Sequence, residues 1–467
     1  MTREPEWGHR YVEEVCEEIW RLEDKFKLLD LNVIGVNVWP LIRMPVYYRT
    51  ATACGFFDEP HPGVVVEEAE ALTHVNDEFW EKFVSVREFS VGKLMRSWFS
   101  RRYFGRDVVV THGRKQNGVD IYTEQVIKEA GALAAVFDRT PSEDSVYPDL
   151  LSFRWRFNRI FSQPKIETFD NSVLQPIYDA ISEIETKFHV DLSKLRASIP
   201  NRIILNARQQ QHYVRLFKAL STKRLFITNS YFSTSLIAAA KSCNVRVIEL
   251  QHGFISKFHM GYSYPGKKAS PVLPDEMWCF GQFWVDDTHL HRHLKTRIIG
   301  APYVHHLAEL EAAPRTDSHR IVVTSQGAIG QHLLPIAVEI ARNFHASEVV
   351  FRLHPSEKLE DMQDLLTRTQ KSVPANFSLN ATTPNIFALM KSADVIVGVF
   401  STTLLEGMAL GARTMIVALP GYEYMDAIVG RGDVSIAMRP DEVVDAIRNA
   451  PHCTDANYYY AHPVTLL

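Results

Sequence analysis

Short apolar runs that end in glycine or a polar residue recur between residues 107 and 300, and stretches with helical spacing separate several of them. The predicted strands are residues 107–111, 133–137, 224–228, 245–250, 277–280 and 297–299. Residues 121–132 and 233–242 have the spacing of helices. Strands and helices in this alternation are typical of βαβ units, so we predict a parallel sheet covered by helices.

The same alternation restarts near residue 320, after a charged and aperiodic stretch that contains Pro314. The predicted strands are residues 321–324, 348–353, 394–399 and 414–418, and the predicted helices are 333–344, 359–369, 384–392 and 403–410. We interpret residues 309–319 as a linker between domains 1–308 and 320–467. The fold class is therefore α/β, with two Rossmann-like domains facing each other and a ligand crevice at their strand ends.

Residues 11–29 carry apolar side chains at helical spacing, among them Val12, Val15 and Ile19, and are otherwise rich in Glu and Lys. The pattern predicts an amphipathic helix, which would be a helical extension of the first domain. Because its polar face is acidic, we expect the helix to pack against the protein. Contact with a membrane surface is the alternative.

Composition narrows the class of protein. The net charge of −4 disfavours a nucleic-acid partner, although a local basic patch remains compatible with it. The five cysteines form no C-x-x-C pair, which disfavours a zinc site or disulfide framework and suits a reducing cytoplasm. No apolar run approaches the roughly 20 residues of a membrane-spanning helix. We expect a cytoplasmic protein, which would meet any lipid-linked substrate at the inner face of the membrane.

The predicted strand 394–399 runs into Phe400, Ser401, Thr402 and Thr403, with Glu406 about one turn further on. Ser401 or Thr402 falls where a helix N-cap belongs, and the free backbone N–H groups of such a turn can hold a phosphate. Glu406 would then accept hydrogen bonds from ribose hydroxyls. The alternative is that the turn simply caps a buried helix.

Two further loops follow strands of the same domain. His354 precedes Pro355, which favours an extended backbone and would direct the imidazole toward the crevice, where it could bind or protonate a phosphate. A histidine that only stabilises the turn is the alternative. Gln326 and Gly327 follow the first strand of the domain, and small residues there permit close approach of a ligand. The loop lacks the lysine of a P-loop.

In the first domain, Glu249 lies near the end of a predicted strand, and Gln251, His252 and Gly253 follow it. A neutral imidazole at His252 could take the proton of an attacking hydroxyl, and Gly253 permits a tight turn. His112 follows an earlier strand in a similar way and is a weaker candidate for the same side. Structural histidines are also common at strand ends.

These motifs, in this order, resemble those of bacterial capsule and surface-polysaccharide glycosyltransferases of the GT-B fold. Bacterial sialyl- and Kdo-transferases carry a His-Pro motif and a later Ser/Thr motif that bind the CMP donor, and the teichoic-acid glycerophosphate transferases carry a His-Gly, a later His and a Ser-rich turn. The similarity covers roughly residues 228–420. It implies that His354 and Ser401 or Thr402 bind the donor phosphate and that His252 faces the acceptor. Sialyltransferases have an acidic residue where this chain has Gln251–Gly253, which leaves the base open between His252, Glu249 and His112.

The sequence thus predicts an inverting transferase that binds a nucleotide-sugar donor, preferably a CMP-sugar, on its second domain and a glycan or lipid-linked glycan acceptor on its first. No acidic D-x-D pair is arranged to hold a metal, so we expect no obligatory metal ion or other cofactor. The alternatives are a CDP-glycerol-type phosphotransferase, a sugar-nucleotide epimerase and a non-catalytic glycan-binding subunit.

Overall fold

The computed structural model describes residues 6–54, 107–112, 115–116, 119–139, 147, 168–266, 270, 272–286, 290, 294–309, 311–314, 319–327, 329–370, 372–381 and 385–467. Part of the predicted linker, at residues 310 and 315–318, lies outside this set. Helices and strands are numbered below in chain order over the described residues.

The first sheet contains six parallel strands in the order β10-β9-β8-β7-β3-β6. They are β3 (Asp107–Val110), β6 (Ala134–Phe137), β7 (Arg224–Ile227), β8 (Arg246–Leu250), β9 (Glu276–Cys279) and β10 (Lys295–Ile298). Every residue of β3 and β6 is buried, as expected for a parallel sheet covered on both faces. The order reverses beside β3, so a crevice forms between the ends of β3 and β7.

The second sheet also contains six parallel strands, in the order β13-β12-β11-β14-β15-β16. They are β11 (His319–Thr324), β12 (Ser347–Arg352), β13 (Phe377–Asn380), β14 (Val395–Gly398), β15 (Arg413–Val417) and β16 (Ser435–Ala437). This is the dinucleotide-binding order, in which the ligand crevice lies between the first and fourth strands, here β11 and β14.

Two short antiparallel pairs, fifteen α-helices and six short 3-10 helices complete the described elements. The pairs are β1 (Asn32–Val33) with β2 (Val36–Asn37) and β4 (Lys115–Gln116) with β5 (Val119–Asp120). The helices are α1 (Tyr11–Lys25), α2 (Val38–Ala53), α3 (Glu124–Ala130), α4 (Gln175–Phe188), α5 (Ser193–Ala219), α6 (Thr234–Ser242), α7 (Phe283–Asp286), α8 (Pro302–Glu309), α9 (Gly330–Asn343), α10 (Leu359–Thr369), α11 (Ile386–Lys391), α12 (Thr402–Ala409), α13 (Asp426–Arg431), α14 (Val443–Arg448) and α15 (Ala456–Tyr459).

Helices α1, α2, α4 and α5 share one hydrophobic cluster beside the first sheet. Val12, Val15 and Ile19 of α1 are fully buried, so this helix packs against the protein as predicted. Within the cluster Arg43 Nε lies 2.6 Å from Glu23 Oε1, and both side chains are almost fully buried. A buried guanidinium requires such a partner, because an unpaired charge there would be strongly destabilising.

The end of the chain returns to the first sheet, although the sequence analysis assigned residues 320–467 to the second domain. Trp284 Nε1 donates to Tyr459 O at 2.7 Å, and Ala461 N donates to Phe280 O at 2.9 Å. These backbone partners tie the last residues to the loops that follow β9.

The structure confirms the predicted α/β fold class, with two Rossmann-like domains that each contain a six-stranded parallel sheet. One buried hydrophobic cluster joins them, with Met277 of β9 and Val397 of β14 among its members. All five cysteines are described and none forms a disulfide. Within the described residues, no helix has the length and apolarity needed to cross a membrane.

Candidate functional site

Two loops of the second domain meet at the switch point of its sheet. Gln326 follows β11, and its Oε1 accepts a hydrogen bond from the backbone N of Phe400, which follows β14, at 3.0 Å. The bond spans the two neighbouring strands between which a doubly wound sheet opens its crevice. The structure therefore brings together Gln326 and the Ser401 turn, as the sequence analysis required of a single site.

Gly327 brings the third loop into the same place. A Cβ at this exposed glycine would lie 2.2 Å from Ser356 Oγ and 3.4 Å from His354 Nδ1. Because glycine has no side chain, the hydroxyl of Ser356, in the loop that follows β12, can approach this closely, and an added Cβ would force that hydroxyl to move. We call Gln326, Gly327, His354 and Ser401 the second-sheet cluster.

His354 is half-buried, and Ser356 contacts its ring at Nδ1. Ser356 N donates to His354 Nδ1 at 3.2 Å, and Ser356 Oγ lies 2.7 Å from the same nitrogen. A backbone N–H needs a lone pair on Nδ1, so the neutral ring carries its proton on Nε2. Glu357 fixes the backbone, because its Oε2 accepts from His354 N at 2.6 Å. His354 thus offers an N–H donor, while Pro355 is exposed beside it.

Ser401 is the N-cap of α12, as predicted. Its Oγ accepts from Thr403 N at 3.2 Å and from Thr403 Oγ1 at 2.8 Å. Thr402 and Thr403 are partly exposed in the first turn of this eight-residue helix. The capping interpretation is therefore correct, and it is compatible with an anion at the same helix end because a cap satisfies only one or two of the free N–H groups.

Glu406 does not lie open to the crevice, where the sequence analysis placed a ribose-binding carboxylate. Its side chain is fully buried, and the hydroxyl of Tyr303 donates to its Oε1 at 3.0 Å. Tyr303 belongs to α8, which follows the first sheet. Glu406 therefore joins the two domains, because a buried carboxylate needs a donor and the first domain supplies one.

In the first domain, the structure brings His112 and His252 together at the strand ends. Their ring centroids lie 5.0 Å apart, and Tyr122 is edge-on to both. Both histidines are partly exposed. Asp120 positions this group, because its carboxylate accepts from the backbone N of His112 at 2.8 Å and from that of Tyr122 at 3.1 Å.

Gln251 and Gly253 support the loop that carries His252. Gln251 is almost fully buried; its Oε1 accepts from Phe280 N at 2.8 Å and its Nε2 donates to Gly253 O at 3.0 Å. A buried amide with both ends engaged fixes the backbone on either side of His252. Neither residue is thereby available as a base.

Glu249 is fully buried at the end of β8, and burial raises the pKa of its carboxyl. Its Oε1 accepts from Ser230 N at 3.0 Å and from the hydroxyl of Tyr262 at 2.6 Å. The same hydroxyl lies 3.4 Å from His252 Nδ1. We call His112, Tyr122, Glu249, His252 and Tyr262 the first-sheet cluster.

Three tyrosines of the site, Tyr122, Tyr262 and Tyr303, were not predicted. Tyr262 lies 13 residues beyond Glu249 and no short motif joins them. A signal existed for Tyr122, because Asp120 followed by Thr123 ahead of a helix is a pattern in which an aspartate accepts from backbone N–H groups two and three residues later. Both bonds are present, at 3.1 and 3.0 Å.

The loop that carries His252 also contacts the second domain. Lys257, in the loop that begins at His252, lies 3.1 Å from Asp426 Oδ2 of the second domain. Among the described residues, no group of three or more His, Cys, Asp or Glu side chains is arranged to hold a metal ion. The two clusters contain imidazoles, hydroxyls, a buried carboxylate and the amino end of a helix.

No protein-family model matches the sequence, and no curated protein matches it. Among solved structures, MnaA of S. aureus in complex with UDP is 11% identical, with 76% of this chain and 92% of that one covered and a TM-score of 0.44. UDP-GlcNAc 2-epimerase of Neisseria meningitidis bound to UDP-GlcNAc is 11% identical, with 77% and 95% covered and a TM-score of 0.43. MurG of Acinetobacter baumannii is 10% identical, with 76% and 94% covered and a TM-score of 0.41. These values are too low to assign a function.

Proposed function

We propose that the chain is an inverting glycosyltransferase that moves a sugar from a nucleotide-activated donor to a surface-polysaccharide or other glycan acceptor. The observation that carries the proposal is the convergence of Gln326, Gly327, His354 and the amino end of α12 at the switch point of the second sheet. An N–H donor on imidazole, a helix amino end and an exposed glycine are what a nucleotide phosphate requires.

Donor binding rests on charge and on the direction of the N–H groups. The phosphate that leaves with the nucleotide gains negative charge as the sugar departs, so donors aimed at it stabilise the transition state. His354 Nε2–H and the first-turn N–H groups of α12 are such donors. Similarity of the His354–Pro355 and Ser401–Thr403 motifs to those of CMP-sugar enzymes favours CMP as the nucleotide.

The acceptor is assigned to the first-sheet cluster. A neutral His252 can accept the proton of the acceptor hydroxyl while its oxygen attacks the anomeric carbon. The base is assigned to the first domain and the leaving phosphate to the second, so we expect attack on the face of the sugar opposite the leaving group. One such displacement inverts the anomeric configuration.

Nucleotide binding is the direct test of the donor site. A thermal-shift screen with CMP, CDP, UDP and GDP should raise the melting temperature with at least one of them, because a ligand at 100 times its Kd stabilises by about 2.7 kcal/mol. His354→Ala and Ser401→Ala should each weaken that binding by about 1–3 kcal/mol through loss of a donor to, or the cap beside, a charged group. His345→Ala, at an exposed position on the opposite edge of the sheet, is the control. Unchanged affinity in both site variants would place the nucleotide elsewhere.

We also propose that transfer needs no metal ion, because the helix end and His354 already supply positive potential for the phosphate. Chelation with EDTA should leave the rate of transfer unchanged once a donor is identified. Loss of activity that Mg²⁺ or Mn²⁺ restores would contradict this part of the proposal.

The products separate the alternatives. A sugar-nucleotide epimerase would convert its substrate with no acceptor present, and a CDP-glycerol-type phosphotransferase would transfer glycerol phosphate. A glycan-binding subunit would show no nucleotide-dependent thermal shift. Release of free nucleotide that depends on a glycan acceptor is the result expected of the proposed transferase.

A further inference from the structure

The hydroxyl of Tyr262 lies between a buried carboxylate and the proposed base. It is 2.6 Å from Glu249 Oε1 and 3.4 Å from His252 Nδ1. A tyrosine hydroxyl has one proton to donate and can accept at its oxygen. The direction of that single proton therefore decides how His252 is bound.

Glu249 decides the direction. Its Oε1 also accepts from the backbone N of Ser230 at 3.0 Å. The unprotonated oxygen of a carboxyl is the better acceptor, so we assign any carboxyl proton to Oε2, and Oε1 then accepts from Tyr262 as well. The short separation from Tyr262 indicates that the tyrosine proton points to Glu249. The tyrosine oxygen can then only accept from His252, which requires the proton of the neutral imidazole to reside on Nδ1.

We propose that Glu249 and Tyr262 are positioning residues that hold His252 in the Nδ1–H tautomer and so place its lone pair on Nε2. In the transfer, which rests on the proposed function, the acceptor O–H bond breaks and its proton goes to His252 Nε2. The acceptor oxygen bonds to the anomeric carbon, and the bond from that carbon to the phosphate oxygen breaks with its electron pair leaving on the nucleotide. The assignment of the tautomer itself does not depend on that reaction.

Three aromatic rings also pack around His252. His112, Tyr122 and Tyr231 contact the ring as aromatic faces or edges, at centroid distances of 5.0, 6.2 and 6.4 Å. The contrast with His354 is chemical. A backbone N–H from Ser356 holds that ring as the Nε2–H tautomer, which donates to phosphate, whereas Tyr262 holds His252 in the opposite tautomer, which accepts a proton.

Nitrogen NMR of histidine tests the tautomer without substrate, because the ¹⁵N shifts of a protonated and an unprotonated ring nitrogen differ widely. The full-length protein is labelled with ¹⁵N-histidine at a pH where the ring is neutral, and His252 is assigned by difference from His252→Gln. We expect the Nδ1–H tautomer in the wild type and a shift toward Nε2–H in Tyr262→Phe. Glu249→Leu should also shift it, because the freed tyrosine proton can then donate to Nδ1, whereas Glu249→Gln, which retains an acceptor oxygen, should not.

Tyr459→Phe is the matched control. It removes a buried tyrosine–carboxylate bond of 2.5 Å to Asp433, and neither residue is among the neighbours of His252 named above, so the His252 signals should not move. An Nε2–H tautomer in the wild type, or no shift in Tyr262→Phe, overturns the proposal. The tautomer of His252 measured in the wild type tests the proposal even if a variant fails to fold.

Kinetics provide the second readout. Tyr262→Phe should lower kcat about 10²-fold with little change in the KM of the donor, and it should move the ionisation of the base in the pH–rate profile. Glu249→Gln should recover part of the rate lost in Glu249→Leu. If the tautomer is as proposed but no transfer occurs in any assay, the proposed function fails and the positioning survives. If transfer occurs and Tyr262→Phe changes neither kcat nor the pH profile, the positioning fails and the function survives.

Discussion

The two histidines of the proposed site have neighbours that favour opposite tautomers. His354 Nδ1 accepts a hydrogen bond from a backbone N–H of its own loop, so its Nε2–H can donate. His252 lies beside a tyrosine whose proton points to a buried carboxylate. Both could be located from the sequence, because each directly follows a predicted strand. Their tautomers could not, because Tyr262 is separated from His252 by ten residues and its bond to Glu249 exists only in the folded loop.

Replacing His252 separates acceptor activation from donor binding. His252→Ala should lower turnover on the order of 10²–10⁴-fold, the usual contribution of a general base, and leave nucleotide affinity near that of the wild type. The reason is that His252 belongs to the first sheet, whereas the proposed nucleotide site belongs to the second. Steady-state kinetics with saturating acceptor and a nucleotide titration measure the two effects. Full activity in the variant would transfer the role of base to His112 or Glu249.

At the scale of elements, the central strands were predicted to within a residue or two because each is a short apolar run ending at a polar loop. The edge strands β13 and β16 were missed because they are only partly buried and lack such a run. Helix α5, with 27 residues, was also missed, because Pro200 and a polar stretch around residues 208–211 interrupt its apolar spacing. The site depends on loops after the central strands, so its elements were among those that could be predicted.

The contact between the loops of Gly327 and Ser356 predicts the effect of a substitution at Gly327. In Gly327→Ala the new Cβ would meet Ser356 Oγ at 2.2 Å, so the hydroxyl must leave His354 Nδ1 and the ring loses one of its supports. We expect nucleotide affinity to fall by about 1–2 kcal/mol, as for a lost hydrogen bond. Melting temperature should change little, because Gly327 is exposed.

Gly430→Ala is the control for that substitution, because a Cβ there meets nothing within 4 Å. The double variant Gly327→Ala with Ser356→Ala should bind nucleotide no more weakly than Ser356→Ala alone, since the clash is with the removed oxygen. Additive losses in affinity would show that Gly327 acts through a contact other than Ser356.

At the scale of the whole molecule, each chain terminus packs on the domain that is distant in sequence. The last residues return to the first sheet, and the segment before α1 reaches the second domain, where Gly8 N donates to Ala418 O at 2.9 Å. The pattern of apolar residues predicted two domains. It did not predict these contacts of the terminal segments, because single backbone hydrogen bonds between distant segments leave no periodic pattern in the sequence. Besides the shared hydrophobic cluster, the domains are therefore joined by Tyr303–Glu406, by Lys257–Asp426 and by these terminal segments.

The contact of the N-terminal segment with the second domain predicts that the stability of the protein depends on pH through Glu423. This fully buried carboxylate of the second domain accepts from Val12 N at 2.8 Å, at the start of α1, and from Gly421 N at 3.1 Å. Burial raises its pKa from 4.5 to about 7, although these bonds and the nearby Arg10 lower it in part. The folded state therefore binds more protons than the unfolded state between the two values, and the stability that Glu423 contributes in its protonated form is lost as pH rises through about 7.

Glu423→Gln stays neutral, so its free energy of unfolding should fall less between pH 5 and pH 8 than that of the wild type, by at most about 3 kcal/mol. Urea denaturation at each pH measures this difference. Glu17→Gln, at an exposed position on α1, should show the same dependence of unfolding free energy on pH as the wild type. If Glu423→Gln has the wild-type slope as well, the carboxyl does not titrate at this junction between the domains.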